Sequence, residues 1–348
     1  MRSIVALVVT GIIAGSAVAD SPGVALRVES LTVPPATGPT INVQVKNLGE
    51  EPYEGSLSLK GPKGWTISPD SRQVALKPNE TRRVPFTIEK GSNVDDNSYP
   101  IEVTATASEE KIVLKQNVPA ASAPYFKPTI DGLADEWKDS LPVAFTSGGK
   151  RSVISTYWNR RAFSILVAVE EDKLLPYKKG GPFDAVQLAI SSQDAAEKGE
   201  DDEARRFEFL FVSTDKASAD KGTEGMCFKL AEPDTKLTET AQSRELEPLE
   251  YEKAKVMVTR RGGTTYYECS IPFSLMRADI RPSEGRELFL AVLIHDADGT
   301  GIRDRGEAVG LWPEQRNRAA WSDFVGAKWG EKPPFDNKLY WGLCSSKH

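Results

Sequence analysis

The residues best placed to do chemistry form one short run, Asp296-Ala297-Asp298-Gly299-Thr300-Gly301-Ile302-Arg303-Asp304-Arg305-Gly306-Glu307. Counted from Asp296, oxygen-bearing side chains stand at positions 1, 3, 5, 9 and 12 with glycine at 6, which is the spacing of a calcium loop. Calcium takes six to eight hard oxygens, and Asp296, Asp298, Thr300, Asp304 and Glu307 are the candidate ligands of a structural ion. Against this, Arg303 and Arg305 bring positive charge into the loop and its flanks read as strand. A salt-bridged hairpin is the alternative.

Catalytic arrangements are restricted by histidine usage. The chain has two histidines, His295 and His348, so neither a Ser-His-Asp triad nor an HExxH site can be assembled, and no GxSxG or P-loop occurs. The 50 acidic residues leave the two-carboxylate arrangement of a glycosidase open. The expectation is nonetheless a protein that is not an enzyme. Cys227, Cys269 and Cys344 show no CxxC spacing, which argues against zinc. Their odd number leaves at least one thiol unpaired within the chain, so one bridge and three buried thiols both stand open.

The elements that must position such residues follow an export signal. Met1-Arg2, an apolar run from Ile4 to Val18 and Ala17-Val18-Ala19 before Asp20 predict a signal peptide over 1–19 and a periplasmic or extracellular destination. No other stretch has the roughly 18 apolar residues of a membrane span. Without Arg2, 43 basic residues face 50 acidic ones with no long basic run, which argues against nucleic acid as a partner. Other cell-surface or extracellular proteins remain possible partners. The remaining 329 residues suit two domains.

From Val24 to Val118 apolar residues recur with period two, as in Ile41, Val43 and Val45, and in Val84, Phe86 and Ile88. Turn signals such as Gly61-Pro62-Lys63-Gly64 and Lys77-Pro78-Asn79 punctuate them. This pattern predicts a β-sandwich of about seven strands over 20–121. The seam Val118-Pro119-Ala120-Ala121-Ser122-Ala123-Pro124 lacks periodicity and reads as an extended, semi-rigid connection. Over 122–348, strands are predicted at 153–157, 163–170, 185–191, 207–213, 255–259, 265–271, 288–295 and 339–343. The charged stretches 193–206 and 232–252 read as exposed loops or short helices. The chain is therefore all-β.

Two family resemblances rest on these residues. Asn47-Leu48-Gly49, Gly61-Pro62-Lys63-Gly64-Trp65, Leu76-Lys77-Pro78-Asn79-Glu80-Thr81 and Tyr99 make the first segment similar to the immunoglobulin-like NEW3 domains of secreted glycosidases. In that family the domain serves as an accessory spacer. The second segment resembles family 9 carbohydrate-binding modules, related to DOMON domains. The resemblance starts at Ile130-Asp131-Gly132-Leu133-Ala134-Asp135-Glu136-Trp137 and continues through Tyr157-Trp158-Asn159 and Phe183-Asp184-Ala185-Val186-Gln187-Leu188. The hairpin Gly262 to Phe273, the turn His295-Asp296-Ala297-Asp298 and the closing Trp321 to Gly330 follow in order.

The resemblance implies a jelly-roll-like C-terminal sandwich that grips a glycan or polysaccharide between aromatic faces. Sugar C–H faces pack on flat rings, while hydroxyls need a few planar polar partners. Trp321 matches the family's late stacking Trp. Its facing partner is expected just before the acid that corresponds to Asp184, where Tyr177 and Phe183 are the aromatic candidates. The family's sugar-contacting Arg is replaced near Phe207-Glu208. A structural or protein-interaction module on the same fold is the second reading, and a polysaccharide-active enzyme the third.

Overall fold

Alternation of apolar and polar residues sets the first half of the chain. In β2 (Thr40–Asn47) and β6 (Thr81–Lys90) every second side chain is buried, and the same holds in β7 (Tyr99–Ala107) and β8 (Glu110–Val118). Strands with one apolar face must pair those faces. The computed structural model describes residues 23–108, 110–147, 150–192, 206–215, 222–233, 235, 245–296, 335 and 339–345. In it, β1 (Val24–Val28), β2, β6 and β4 (Thr66–Ser68) form one four-stranded sheet. A second holds β5 (Arg72–Leu76), β3 (Tyr53–Lys60), β7 and β8. Val43, Phe86, Leu57 and Val103 meet between them in a single core. The result is the expected sandwich, with eight strands.

One strand departs from the alternating pattern. All five residues of β1 are buried, including Arg27, because its outer side is covered by the C-terminal part of the chain. Arg27 lies 5.2 Å from the centroid of the Phe335 ring, and Ser30 Oγ donates to the carbonyl of Tyr340.

The remaining strands form a curled sheet of eleven. In spatial order these are β10 (Val143–Ser147), β11 (Lys150–Trp158), β12 (Ala162–Glu170), β17 (Thr264–Pro272), β16 (Lys255–Arg261), β15 (Thr223–Ala231), β14 (Phe207–Ser213), β13 (Ala185–Ser192), β18 (Glu287–His295), β19 (Leu339–Leu343) and β9 (Ser122–Ala123). The curl folds the sheet onto itself, so Ile165 and Cys269 of one half share a core with Leu188, Phe209 and Val292 of the other. β15 turns the corner. Only Thr223 and Glu224 pair with β16, while Gly225 onward pairs with β14, where the register shifts at Glu208/Phe209. A bulge of this kind bends a strand and increases its twist.

The two glycines of the β16–β17 hairpin have φ of 56° and 84° and pair Arg261 with Thr264. Positive φ at both central positions gives the tight turn whose twist matches its strands.

The entry motif is a latch. Gly132 adopts φ 84°, and the carboxylate of Glu268 accepts from the amides of Asp131 and Gly132 at 2.9 and 2.6 Å. Trp137 stacks on Tyr157 at 5.0 Å and is buried. Trp158 is also buried, and its Nε1 donates to the Cys344 carbonyl.

The seam between the sandwiches is pinned rather than free. The Leu31 amide donates to Pro119, the Ala121 amide donates to Leu31, and the Gly342 amide donates to Ala121. All three cysteines are buried free thiols, which settles the choice left open by their odd number.

Candidate functional site

Strand alternation places one row of polar side chains on the face of β14, β13 and β18 opposite the main core. Val186, Leu188, Phe209 and Phe211 point into that core. Gln187, Glu208 and His295 take the other face, as the pairings Ala189 with Glu208 and Ala185 with His295 require. Gln187 is central: its Nε2 donates to Glu208 Oε2 at 3.0 Å, and its Oε1 lies 2.9 Å from His295 Nε2. Arg206 Nε donates to Glu208 Oε1. All four residues are buried.

Burying an ion pair costs several kcal/mol per charge unless hydrogen bonds complete it, and here Gln187 supplies one to Glu208. The row thus fixes amide, carboxylate, guanidinium and imidazole planes against one another in the interior. Arg206 was expected at the end of an exposed loop. It is instead a buried member of this row, because Glu208 two residues on gives its charge a partner. A charged side chain just ahead of an apolar strand with an opposite charge at i+2 was the available signal.

The residues proposed before Asp184 sit at the edge of the same face. Tyr177 and Phe183 meet edge to face, with ring centroids 5.0 Å apart, and Tyr177 also leans on Phe228 at 5.2 Å. Phe183 is only 5% exposed, so it belongs to a small core with Leu210, Val212 and Phe228. Tyr177 is partly buried, and its hydroxyl donates to Glu247 Oε1 at 2.9 Å. Burial and that carboxylate push the phenol up to about 12.

Asp184 ties the loop shut. Its amide donates to the Leu175 carbonyl, and its Oδ2 accepts from the Leu175 amide at 2.6 Å.

Acidic groups gather at this end of the sheet. Asp184 precedes, and Asp296 follows, the paired residues Ala185 and His295, and both raise the proton affinity of Glu171 after β12. Desolvation is the largest cause, Asp184 the next, and together they push Glu171 up to about 8 despite Arg260. Arg260 Nη1 lies 3.2 Å from Glu171 Oε1, and its Nη2 donates to the Glu171 carbonyl at 2.8 Å. Among the described residues no three His, Cys, Asp or Glu side chains are arranged to hold a metal ion.

Of the calcium-loop candidates, Asp296 is buried at the end of β18. Asp298, Thr300, Asp304, Glu307 and the stacking candidate Trp321 lie outside the described residues. Among the described residues, the aromatic ring most open to solvent is one the motifs did not single out. Tyr125 is 42% exposed and stands edge-on to Trp158 at 5.0 Å. It precedes the entry motif, where nothing in its spacing distinguishes it from a linker residue.

Residues 36–108 match the NPCBM-associated, NEW3 domain of alpha-galactosidase, as the first resemblance implied. No curated protein matches the chain. Among solved structures, a carbohydrate binding module family 9 from Caldicellulosiruptor kristjanssonii in complex with cellotriose is 12% identical. That match has a TM-score of 0.38 and covers 65% of this chain and 93% of that one. A second structure from the same organism, in complex with glucose, is 13% identical with a TM-score of 0.35, covering 52% and 81%. The NEW3 match thus falls on the first sandwich, and family 9 modules stand among the structural neighbours of the chain.

Proposed function

We propose that this is an exported, non-catalytic protein whose second sandwich binds a glycan. The observation that carries the reading is the row Arg206, Glu208, Gln187 and His295, joined by hydrogen bonds on one sheet face. Planar polar groups held in fixed positions suit sugar hydroxyls, which need donors and acceptors at set angles. The ordered landmarks from Ile130 to Trp329 and the NEW3 match in the first sandwich support it. In this reading Trp321 supplies one aromatic wall and Tyr177 the nearest ring on the other side, with Phe183 behind it. Asp296, Asp298, Thr300, Asp304 and Glu307 would hold a structural calcium ion in this reading. The residues that would hold it offer hard oxygens, and Asp296 is fixed by β18.

A glycan array with wild type, Trp321→Ala and Gln187→Ala tests this. Loss of binding in both variants is expected, with a melting curve near wild type for Trp321→Ala and a lower one for Gln187→Ala, which strips a donor from buried Glu208. Retention of every bound sugar by Trp321→Ala would remove that residue from the site.

The second reading is a structural or protein-interaction module on the same fold. What favours it is that Tyr177 and Phe183 spend their rings on each other and on Phe228. Titration calorimetry with mono- and oligosaccharides, with and without calcium, separates the two, since this reading predicts no saccharide heat in either condition.

A further inference from the structure

The contact between the two sandwiches is polar, interlocked and centred on one side chain. Arg83 of β6 reaches out of the first sandwich. Its Nε lies 2.7 Å from Glu29 Oε2, its Nη2 lies 3.1 Å from Glu287 Oε2 of β18, and its guanidinium sits 4.7 Å above the Tyr340 ring of β19. Gln44 Nε2 donates to both Glu29 Oε1 and the Tyr340 hydroxyl, each at 2.9 Å. The Glu29 side chain is almost wholly buried, so its carboxylate depends on these donors. Arginine suits such a place because one planar fork can serve two carboxylates while its face stacks on a ring.

Two further contacts remove the slack that a spacer domain would need. Asn97, in the loop before β7, donates through Nδ2 to the carbonyls of Ala120 and Pro142 at 2.9 and 2.8 Å, and its Oδ1 accepts from the Ala120 amide. On the other side, Gly342 of β19 packs so tightly on the first sandwich that a Cβ there would come within 2.0 Å of the Thr32 carbonyl oxygen. The seam itself is the last strand of the large sheet: β9 pairs in parallel with β19, at Gly342 with Ser122 and Leu343 with Ala123.

These contacts end on β18 and β19. β18 carries Glu287 at one end and His295, in the polar row, at the other. It pairs with β19 through Leu288 to Trp341 and Phe289 to Tyr340, and with β13 from Leu288 to His295.

We propose that the first sandwich is a clamp on the site-bearing sheet, not a spacer: the two sandwiches open as one cooperative unit, and Arg83 is the positioning residue that couples them. A packed, hydrogen-bonded joint transmits a change on one side to the other, whereas a flexible tether does not. The coupling is independent of what the second sandwich binds, and its test reads protein stability alone.

The test is calorimetry and native-state hydrogen exchange on the full exported chain, as wild type and Arg83→Ala. Wild type is expected to melt in a single transition whose calorimetric and van't Hoff enthalpies agree. Arg83→Ala is expected to lower the melting temperature by about 5 °C or to split the transition. In the same variant, exchange protection should fall at Leu288, Leu290 and Leu343, all in the second sandwich. Gly342→Ala, a wedge introduced from the opposite side, should reduce protection at Val43 and Val45 of the first. If Arg83→Ala does not fold, Glu287→Gln, which keeps the side-chain volume, gives the converse reading at Val43 and Val45 of the first sandwich. Two separate transitions in wild type, or protection lost in Arg83→Ala only within the first sandwich, would overturn the proposal.

Discussion

The indole Nε1 of Trp137 donates to Oε1 of Glu268 over 2.8 Å, joining residues 131 positions apart. The other oxygen of the same carboxylate receives the amides of Asp131 and Gly132, so one buried acid organises the whole entry turn. Removing it should strand three donors at once. Glu268→Ala is expected to cost about 3 kcal/mol or more, and Glu268→Gln, which keeps one acceptor, about 1–2 kcal/mol. Urea midpoints measured at constant slope check both values, and equal losses would show that shape rather than hydrogen bonding holds the turn.

Arg206 and Glu208 are both buried and paired. Arg206→Met should therefore leave an uncompensated carboxylate, at a loss of about 3–5 kcal/mol. Adding Glu208→Gln should recover part of that loss, because a neutral amide still accepts from Gln187. Chemical denaturation of the single and double variants measures the recovery. A double variant less stable than the single one contradicts this account of the row.

Acidity offers a third check, through Glu171. Its folded-state value of about 8 stands above the ordinary 4.5, so the folded protein holds a proton that the unfolded chain releases. Glu171 accordingly contributes stability that is complete below about pH 4.5, falls as pH rises and is gone above about pH 8. Melting temperatures recorded from about pH 5 to 8 should decline in wild type. The decline should be shallower in Glu171→Gln, and parallel curves would assign the dependence to another group.

Calcium can be tested without any sugar. At a free concentration about 100 times the dissociation constant, a bound ion adds about 2.7 kcal/mol. Melting in millimolar calcium should then exceed melting in chelator by about 5–10 °C. Asp296→Asn should narrow the gap. Coincident curves in wild type would leave the salt-bridged hairpin as the reading of residues 296–307.

Much of this architecture could be read from local pattern, because a half-buried strand writes its period directly into the chain. β12, β13, β14, β17 and β18 lie within one residue of the spans read from the sequence, where buried strands stand out as short apolar runs. β15 escaped notice because Gly225 and Lys229 interrupt a strand that changes partners midway and faces different surroundings at each end. Long-range relations were less legible. Nothing near Trp137 in the sequence points to Glu268.

The candidate site divides in the same way. Gln187 and Asp184 stood inside a recognisable phrase, and their strand was found. Arg206 was misplaced because composition alone cannot tell a solvated cation from one whose partner lies two residues on. Phe183 belongs to a small core because three strands and a loop converge there, a fact of tertiary packing. The joint at Arg83 was equally hidden, since its partners come from β1, β18 and β19.

The three thiols sealed in the interior free this molecule from dependence on redox chemistry. With Cys227 and Cys269 in the main core and burial pushing both well above the ordinary thiol range, no sulfur is poised to attack or be attacked. A chain built this way reaches one covalent form whether it matures among reductants or oxidants. Production under reducing and under oxidising conditions should therefore leave all three thiols free.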